Sequence, residues 1–442
     1  MTILELQRTF PGLQTGKSMH RLATELYPIC RSITGNGFRD SLAILGREVP
    51  LNVVDVPTGT KVFDWTIPQE WNIRDAYIKN SQGEKVVDFT RLNLHVLQYS
   101  VPIRETMTLA ELRPHLFTLP DHPDWVPYRT SYYKKNWGFC LSQKVLDSLE
   151  DGQYEVCIDS TLADGRLSYG EIVLPGATAD EVLISCHSCH PSLANDNLSG
   201  MVVATSLARL LAGVERRYTY RFVFIPGAIG SIAWLARHKE EALKIKHGLV
   251  VACVGDPGPL TYKKSRRGDA EIDRAALHVM EHSGEPFHVK DFSPYGYDER
   301  QYCSPGFNLA VGSLTRTPHG QFPEYHTSAD NLEFIRPASL EHSLQTYLSI
   351  VGLLEKNRVY LSLNPYCEPQ LGKRGLYRSM GGQTDEPANE LALLWVLNLS
   401  DGQHSLLDIA ERAGLPFALI AGAADALLAV DLLREQATEA KK

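Results

Sequence analysis

The stretch SCHSCHPSLANDNLSG, residues 185–200, brings two histidines, two cysteines and an aspartate close together in the chain. The apolar run EVLISC (181–186) leads into it and predicts a buried strand, and MVVATSLARLLAG (201–213) follows it and predicts a helix. Functional side chains of open α/β sheets gather where a strand ends and a helix begins. The stretch therefore predicts an α/β fold with a functional site at this turn.

The alternation of apolar strands and helices continues beyond this stretch. Strands without polar interruptions, separated by helices, are typical of parallel pairing with both faces of the sheet covered. We therefore expect an α/β fold with a mostly parallel sheet and helices on both faces. The further strands are predicted at 220–225, 248–254 and 308–314, and the helices at Gly200–Leu211 and Ile229–Ala242.

Two other regions differ from this α/β pattern. Residues 62–158 are rich in Trp, Tyr and Thr in short alternating stretches, which predicts a small, mainly β inserted domain. The core then consists of 1–61 and 159–361. Residues 362–442 predict a winged-helix-like domain of short helices, in which Ser405 caps a helix that ends at Gly414.

Composition and charge exclude several classes of protein. The chain has 442 residues, a formal net charge of −8 and no run of 18 apolar residues. These features disfavour nucleic acid as the main partner and a membrane span. The first twenty residues do not resemble a secretory signal, and the scattered cysteines suit reduced thiols. We expect a cytoplasmic protein with neither nucleic acid nor membrane as partner, and a homo-oligomer is compatible with this.

The residue types in 185–200 favour a metal site. Imidazole nitrogens and carboxylate oxygens are zinc ligands, and a catalytic zinc commonly has three protein ligands and a water. His187, His190 and Asp196 supply such groups, and His326 in PEYHTSADN (323–331) could complete the site from another loop. The alternative is that each histidine is a hydrogen-bonded core residue, and the single CxxC is a weak zinc signal.

These motifs resemble a known family. The pair NDNLSG and YHTSADN resembles the M28 zinc aminopeptidases. More closely, the chain resembles bacterial M28-like aminopeptidase proteins with an inserted domain of unknown function (DUF2172/DUF4910) and a C-terminal winged helix. The resemblance implies a zinc-exopeptidase-like core. It is carried by VFDWTIPQEWNIRDAYI (62–78), CHPSLANDNLSG (189–200), DERQYCSPG (298–306) and PEYHTS (323–328).

The resemblance also implies roles for particular residues. It makes Asp196 and His326 metal ligands and places a further carboxylate ligand at Asp256. The first histidine stays open, because the spacing to Asp196 favours His187 whereas the CHPS string favours His190. We expect one zinc ion and leave a second open.

The chain departs from the peptidase pattern at one important place. Gly227 and Ala228 stand where the peptidases carry a pair of glutamates, one of which is the general base. The base would then be Glu324 or Glu299. Glu324 lies two residues before His326, so both would point to one side of an extended segment.

We predict that Asp298 and Arg300 bind the substrate, with Arg300 the better candidate for a substrate carboxylate. Together these features predict a zinc-dependent, aminopeptidase-like amide hydrolase. Its substrate would be a small peptide or an acylated amine, such as an intermediate in polysaccharide or natural-product assembly. The alternative, favoured by Gly227, is a catalytically degenerate peptidase-fold protein that binds or scaffolds.

Overall fold

The computed structural model describes residues 13–376 and 386–436, together with Ile3, Leu6 and Phe10. The chain divides into two compact units. The first comprises residues 1–273 and 286–348, and the second comprises 274–285 and 349–442. No helix in the described parts is both long and apolar enough to cross a membrane. The domain boundaries expected from the sequence remain predictions.

The first unit contains most of the strands. They are numbered along the chain: β1 Asn52–Pro57, β2 Lys61–Val62, β3 Trp65–Thr66, β4 Glu70–Lys79, β5 Lys85–Asp88, β6 Ile103–Thr108, β7 Leu116–Phe117, β8 Phe139–Cys140, β9 Gln153–Ala163, β10 Arg166–Leu174, β11 Glu181–His187, β12 Thr219–Ile225, β13 Ile245–Val251, β14 Leu260–Lys263, β15 Phe287–Lys290 and β16 Val311–Thr315.

Helices alternate with these strands. They are α1 Leu13–Leu26, α2 Asn36–Leu45, α3 Leu109–Leu112, α4 Gln143–Asp147, α5 Gly200–Ala212, α6 Ile229–Arg237, α7 Lys239–Ala242, α8 Glu271–Glu281, α9 Glu299–Tyr302 and α10 Pro337–Lys356. Short 3₁₀ turns lie at Asn93–His95 and Arg113–His115.

The described residues form a central eight-stranded sheet in the order β1-β10-β12-β11-β13-β16-β14-β15. The middle pairings β12-β11, β11-β13 and β13-β16 are parallel, as is β14-β15, whereas β1-β10, β10-β12 and β14-β16 are antiparallel. Every residue of β11 is buried, as expected for a strand covered on both faces. The α/β class is confirmed, in a mixed sheet in which four of the seven described pairings are parallel.

Some predicted elements have different ends because of local backbone turns. The predicted helix 229–242 is two helices, because His238 leaves the helical region with φ −128° and ψ 42°. The predicted strand 248–254 ends at Val251, since Cys253 has φ +50°. The predicted strand 308–314 starts only at Val311, after Asn308 with φ +46°.

The segment 62–158 contains strands that lie outside the central sheet. In the described chain, β5, β4, β9 and β6 form a four-stranded antiparallel sheet in that order. Strands β2 and β3 form a small hairpin, and β7 pairs with β8. The long strand β9 is followed after two residues by β10 of the central sheet. The β-rich segment is thereby joined directly to the sheet.

The second unit contains the C-terminal helices and a small sheet. Besides most of α8 and the C-terminal part of α10, its elements are β17 Val359–Ser362, α11 Glu386–Leu399, β18 Asp401–Ser405, α12 Leu406–Ala413, α13 Phe417–Leu428 and β19 Leu433–Glu435, with a 3₁₀ turn at Gly372–Arg374. The strand order is β18-β17-β19 in the residues that are described. Ser405 and Asp408 form the predicted capping box, and Gly414 ends α12 in the left-handed region with φ +63°. Both local predictions are confirmed.

Candidate metal centre

Asp196 lies at the centre of a buried cluster of imidazoles. Its Oδ1 is 2.7 Å from His187 Nε2, and its Oδ2 is 3.0 Å from His326 Nε2. His190 Nε2 lies 3.8 Å from the same Oδ2. The ligand atoms of His187, His190 and Asp196 all lie within 4.8 Å of one another. The structure thus brings together four of the five residues that the sequence suggested as metal ligands.

The turn that carries Asp196 is held by hydrogen bonds from distant segments. The two oxygens of Asp330 accept the backbone N–H groups of Asn195 at 2.5 Å and Asp196 at 2.9 Å. Asn197 donates to the carbonyl oxygens of His187 and Val251, each at 3.0 Å, and so joins the ends of β11 and β13. The Asp196 carboxylate is therefore fixed by both neighbouring strands and by the loop that carries Asp330.

Close packing explains the glycine that follows this turn. A Cβ at Gly200 would lie 2.4 Å from Asn197 Oδ1 and 2.6 Å from the carbonyl oxygen of Val251. A side chain at this position would push apart the turn and β13. The start of α5 therefore requires a residue without a side chain.

His326 reaches the cluster from a loop that the β-rich segment holds. The backbone N–H of Tyr128 donates to the carbonyl oxygen of His326 at 2.8 Å. The N–H of Val126 donates to Ser328 Oγ at 2.9 Å, and the N–H of Ser328 donates back to the Val126 carbonyl at 2.8 Å. The Tyr128 ring also lies 5.0 Å from the His326 ring and 5.1 Å from the His190 ring. The segment 62–158 is therefore part of the wall of the site.

The charges in the cluster favour metal ligation. Burial acts to raise the pKa of Asp196, but the neighbouring imidazoles of His190, His187 and His326 outweigh it and hold the pKa well below its usual range. Burial lowers the pKa of His190 to about 3, against the opposing effect of Asp196. Burial acts to lower the pKa of His187, but its contact with Asp196 outweighs burial and raises that pKa. At neutral pH Asp196 thus offers an ionised carboxylate and His190 a neutral imidazole. These are the protonation states in which the two groups bind metal.

Asp256 lies apart from this cluster. Its Oδ1 accepts hydrogen bonds from Thr317 Oγ1 at 2.6 Å and the Gly258 N–H at 2.8 Å. Its Oδ2 accepts one from the side chain of Asn195 at 3.0 Å. Asp256 therefore supports the residue next to Asp196 and is not grouped with His187, His190 and Asp196.

Asp298 occupies the space beside Gly227. It is 1% exposed, its Oδ1 accepts a hydrogen bond from Ser231 Oγ at 2.8 Å, and its Oδ2 has no partner among the described residues. A Cβ at Gly227 would meet His187 Cβ at 3.1 Å and Asp298 Oδ2 at 3.3 Å. The carboxylate of Asp298 thus lies next to the chain position at which the expected acid is missing.

Glu299 and Arg300 have different surroundings, although they are neighbours in the chain. Glu299 is fully buried, and its Oε1 accepts a hydrogen bond from Lys263 Nζ at 2.8 Å. Burial raises the pKa of the adjacent Asp298, while the positive charges of His187 and Arg300 act to lower it. Arg300 Nε is buried without a partner in the described structure. The roles predicted for these three residues remain predictions.

The geometric reason for choosing Glu324 is wrong. The segment is a turn, in which the N–H of Thr327 donates to the Glu324 carbonyl at 3.0 Å, and His326 has φ +58°. The alternation of side chains along an extended strand therefore does not apply to Glu324 and His326. Whether Glu324 acts as a base remains a prediction.

The sequence reasoning missed Tyr128, Asp330 and Tyr297 as parts of the site. Asp330 stands in PEYHTSADN, so its position four residues after His326 was a usable signal. Tyr297 precedes DERQYCSPG and stacks on the His187 ring with centroids 5.4 Å apart. Tyr128 carries no local signal, because only the fold brings it to the cluster.

Comparison with known proteins agrees with this arrangement. A family described as a domain of unknown function (DUF4910) matches residues 20–357, which include both the α/β core and the β-rich segment. The chain belongs to this family. A second family, described as a winged helix-turn-helix, matches residues 358–435.

Two relatives from one bacterial species extend the comparison. A Clostridium acetobutylicum protein named "putative polysaccharide biosynthesis protein with aminopeptidase-like domain" is 53% identical over 95% of this chain and 97% of its own length. A crystal structure of a "putative peptidase" from the same species is 50% identical, covers 98% of this chain and 100% of its own, and has a TM-score of 0.94.

More distant structures share the fold alone. A zinc aminopeptidase from Bacillus subtilis, 13% identical, covers 77% of this chain and 94% of its own with a TM-score of 0.57. A peptidase M28 precursor from Shewanella amazonensis, also 13% identical, covers 80% of this chain and 96% of its own with a TM-score of 0.56. The first unit therefore has an aminopeptidase-like fold.

Proposed function

We propose that this protein is a zinc-dependent, aminopeptidase-like amide hydrolase that acts on a small peptide or an acylated amine. The observation that carries the proposal is the convergence of three imidazoles on the ionised, 1% exposed carboxylate of Asp196. The fold shared with zinc aminopeptidases and the aminopeptidase-like name of the 53% identical relative support it.

The donor set of the cluster fits zinc. His187, His190, Asp196 and His326 supply the imidazole nitrogens and carboxylate oxygens that zinc prefers, and their ligand atoms already lie close together. Zinc bound there would polarise an amide carbonyl and lower the pKa of water. Asp330 would hold the turn that carries Asp196 in place, because it accepts the backbone N–H groups of Asn195 and Asp196.

We assign the general base to Asp298 in preference to Glu299 and Glu324. Asp298 Oδ2 has no partner among the described residues and lies beside Gly227, where the expected acid is missing. Burial raises the pKa of Asp298, which makes its carboxylate a better proton acceptor near neutral pH. Glu299 is already paired with Lys263. In this role, Asp298 Oδ2 takes a proton from the attacking water.

Turnover of a panel of aminoacyl and acyl amides tests the proposal. We expect activity that a chelator abolishes and that zinc restores. Asp298→Asn should lower turnover by about 100-fold or more, the usual contribution of a general base, with zinc content unchanged. Glu299→Gln and Glu324→Gln are the matched comparisons. Equal turnover by Asp298→Asn and the parent would assign the base elsewhere.

One observation favours a second function. Gly227 and Ala228 leave the chain without the acidic pair at the end of β12, which suits a peptidase-fold protein that binds amides without cleaving them. Such a protein would bind zinc and amides, yet none of the panel would be cleaved at any zinc concentration. That result would support the binding protein over the hydrolase.

A further inference from the structure

A cavity of about 230 Å³ lies next to the candidate metal centre. Its walls include residues of β14 and β16 and the segment 290–299. Tyr297 lines this cavity, and the same ring stacks on His187 with centroids 5.4 Å apart. A group bound in the cavity would lie one aromatic ring away from the cluster.

Three buried polar atoms of this cavity have no hydrogen-bond partner in the described structure. They are Glu299 Oε2, Ser313 Oγ and His319 Nδ1, all in residues that line the cavity. Glu299 is 0% exposed and Ser313 is 2% exposed. Buried polar atoms are nearly always hydrogen-bonded in folded proteins, so three unpartnered atoms in residues that line one cavity favour a polar ligand over an apolar one.

The charged side chains that line the cavity have no net charge. Glu299 Oε1 is paired with Lys263 Nζ at 2.8 Å, and Lys290 and Asp291 add one charge of each sign to the lining. Burial lowers the pKa of His319, so its imidazole is neutral near pH 7. A ligand with a carboxylate would face Glu299, and one with an ammonium group would face Lys263. The lining therefore favours an uncharged ligand.

The volume of the cavity and its aromatic lining restrict the choice of ligand further. The volume is below the roughly 300 Å³ at which pockets for drug-sized molecules begin, so the space suits a single ring. Tyr295 and Tyr297 each pack against the His319 ring, with centroids 5.5 and 5.0 Å apart, and offer flat apolar surfaces. An aliphatic group would leave the orphan atoms unsatisfied, which costs binding energy.

We propose that this cavity binds a neutral polyhydroxylated ring the size of one monosaccharide. Hydroxyl groups donate as well as accept, so they can satisfy Glu299 Oε2, Ser313 Oγ and His319 Nδ1 at once. The inference rests on the proposed function in one respect, namely that the ring is the recognition group of the amide substrate.

Binding of free monosaccharides to the full chain tests this inference. The protein is first treated with a chelator, so that binding of the sugar is measured without metal-dependent hydrolysis. Glucose, galactose and N-acetylglucosamine are compared with glucuronate and alaninamide by saturation-transfer NMR and calorimetry. We expect at least one neutral sugar to bind at millimolar concentration, and to bind more tightly than either charged probe.

Two variants locate the binding. Ser313→Ala removes a hydroxyl that has no partner in the described protein, so folding should be unaffected, while the Kd of the sugar should rise about fivefold. Tyr295→Ala, at a side chain that is 72% exposed, should weaken sugar binding by a similar factor. The matched control is Tyr366→Ala in the second unit, 86% exposed, which should leave the Kd unchanged.

The outcomes separate this inference from the proposed function. Sugar binding that depends on Ser313 supports the cavity assignment even where no amide is ever cleaved. Amide turnover without binding of any neutral sugar at millimolar concentration overturns the assignment and leaves the hydrolase in place. Preference for glucuronate or alaninamide overturns it too, as does a sugar Kd that Ser313→Ala leaves unchanged.

Discussion

The candidate metal centre of the first unit and the helical second unit use polar side chains in opposite ways. In the cluster, His187 and His326 come from segments 139 residues apart and meet on a carboxylate that is 1% exposed. In the second unit, Ser405 and Asp408 cap a helix from three residues apart. Sequence-local polar pairs stabilise an element, whereas buried polar groups that converge from distant segments indicate a site.

Removing the central carboxylate should have the largest effect. Asp196→Asn keeps the shape of the side chain but removes the negative charge that the imidazoles surround. We expect zinc affinity to fall by more than about 100-fold, beyond the range for residues that only support a ligand. Competition with a chromophoric chelator and elemental analysis measure this.

The matched control comes from the other unit. Asp425→Asn alters a carboxylate that pairs with Lys356 near the surface, and zinc affinity should not change. Zinc affinity equal to the parent in Asp196→Asn would remove the metal centre from this cluster.

Loss of the support for Asp196 should have the next largest effect. Asp330→Asn disrupts the carboxylate that accepts the backbone N–H groups of Asn195 and Asp196. We expect zinc affinity to fall by about 10- to 100-fold, as for other residues that orient a ligand. Asp401→Asn is the control, because Asp401 accepts the N–H groups of Gln403 and His404 in the second unit. Equal zinc affinities for the two variants would contradict a positioning role.

A smaller effect is expected from the helix cap. Ser405→Ala removes the hydroxyl that accepts the Asp408 N–H, and the free energy of unfolding of the second unit should fall by about 1 kcal/mol. Ser405→Thr should recover most of this, since threonine is also a good N-cap. Denaturant unfolding measures the change, and zinc affinity should stay constant. A change in zinc affinity would contradict the expectation that the Ser405 cap affects only the stability of the second unit.

The last prediction is that the second unit does not bind DNA. Between Glu386 and Glu435 the chain has eight acids and two arginines, and α13 carries no basic residue. Phosphate contacts need lysine and arginine, so a duplex should be repelled. Fluorescence anisotropy of labelled duplex DNA with the full chain should show no binding at physiological salt. Tight, salt-sensitive binding would instead give the second unit a function of its own.

Much of the fold could be predicted from local sequence patterns. The buried strands β11 and β12, helix α5, the Ser405 cap and the Gly414 end each depend on residues within one or two turns of one another. Hydrophobic periodicity and capping are short-range effects, so a single sequence shows them. Element ends at Cys253 and Asn308 were missed, because positive φ angles at non-glycine residues leave little trace in composition.

The sequence by itself determined the α/β class, the family resemblance and which residue types stand at the end of β11. Only the tertiary structure decided how those residues meet. It turned the Glu324 segment away from an extended form, tied Asp256 to Thr317, and set Asp298 beside Gly227. The physical reason is that distances between side chains far apart in the chain depend on how strands and loops pack. No local pattern of residues encodes that packing.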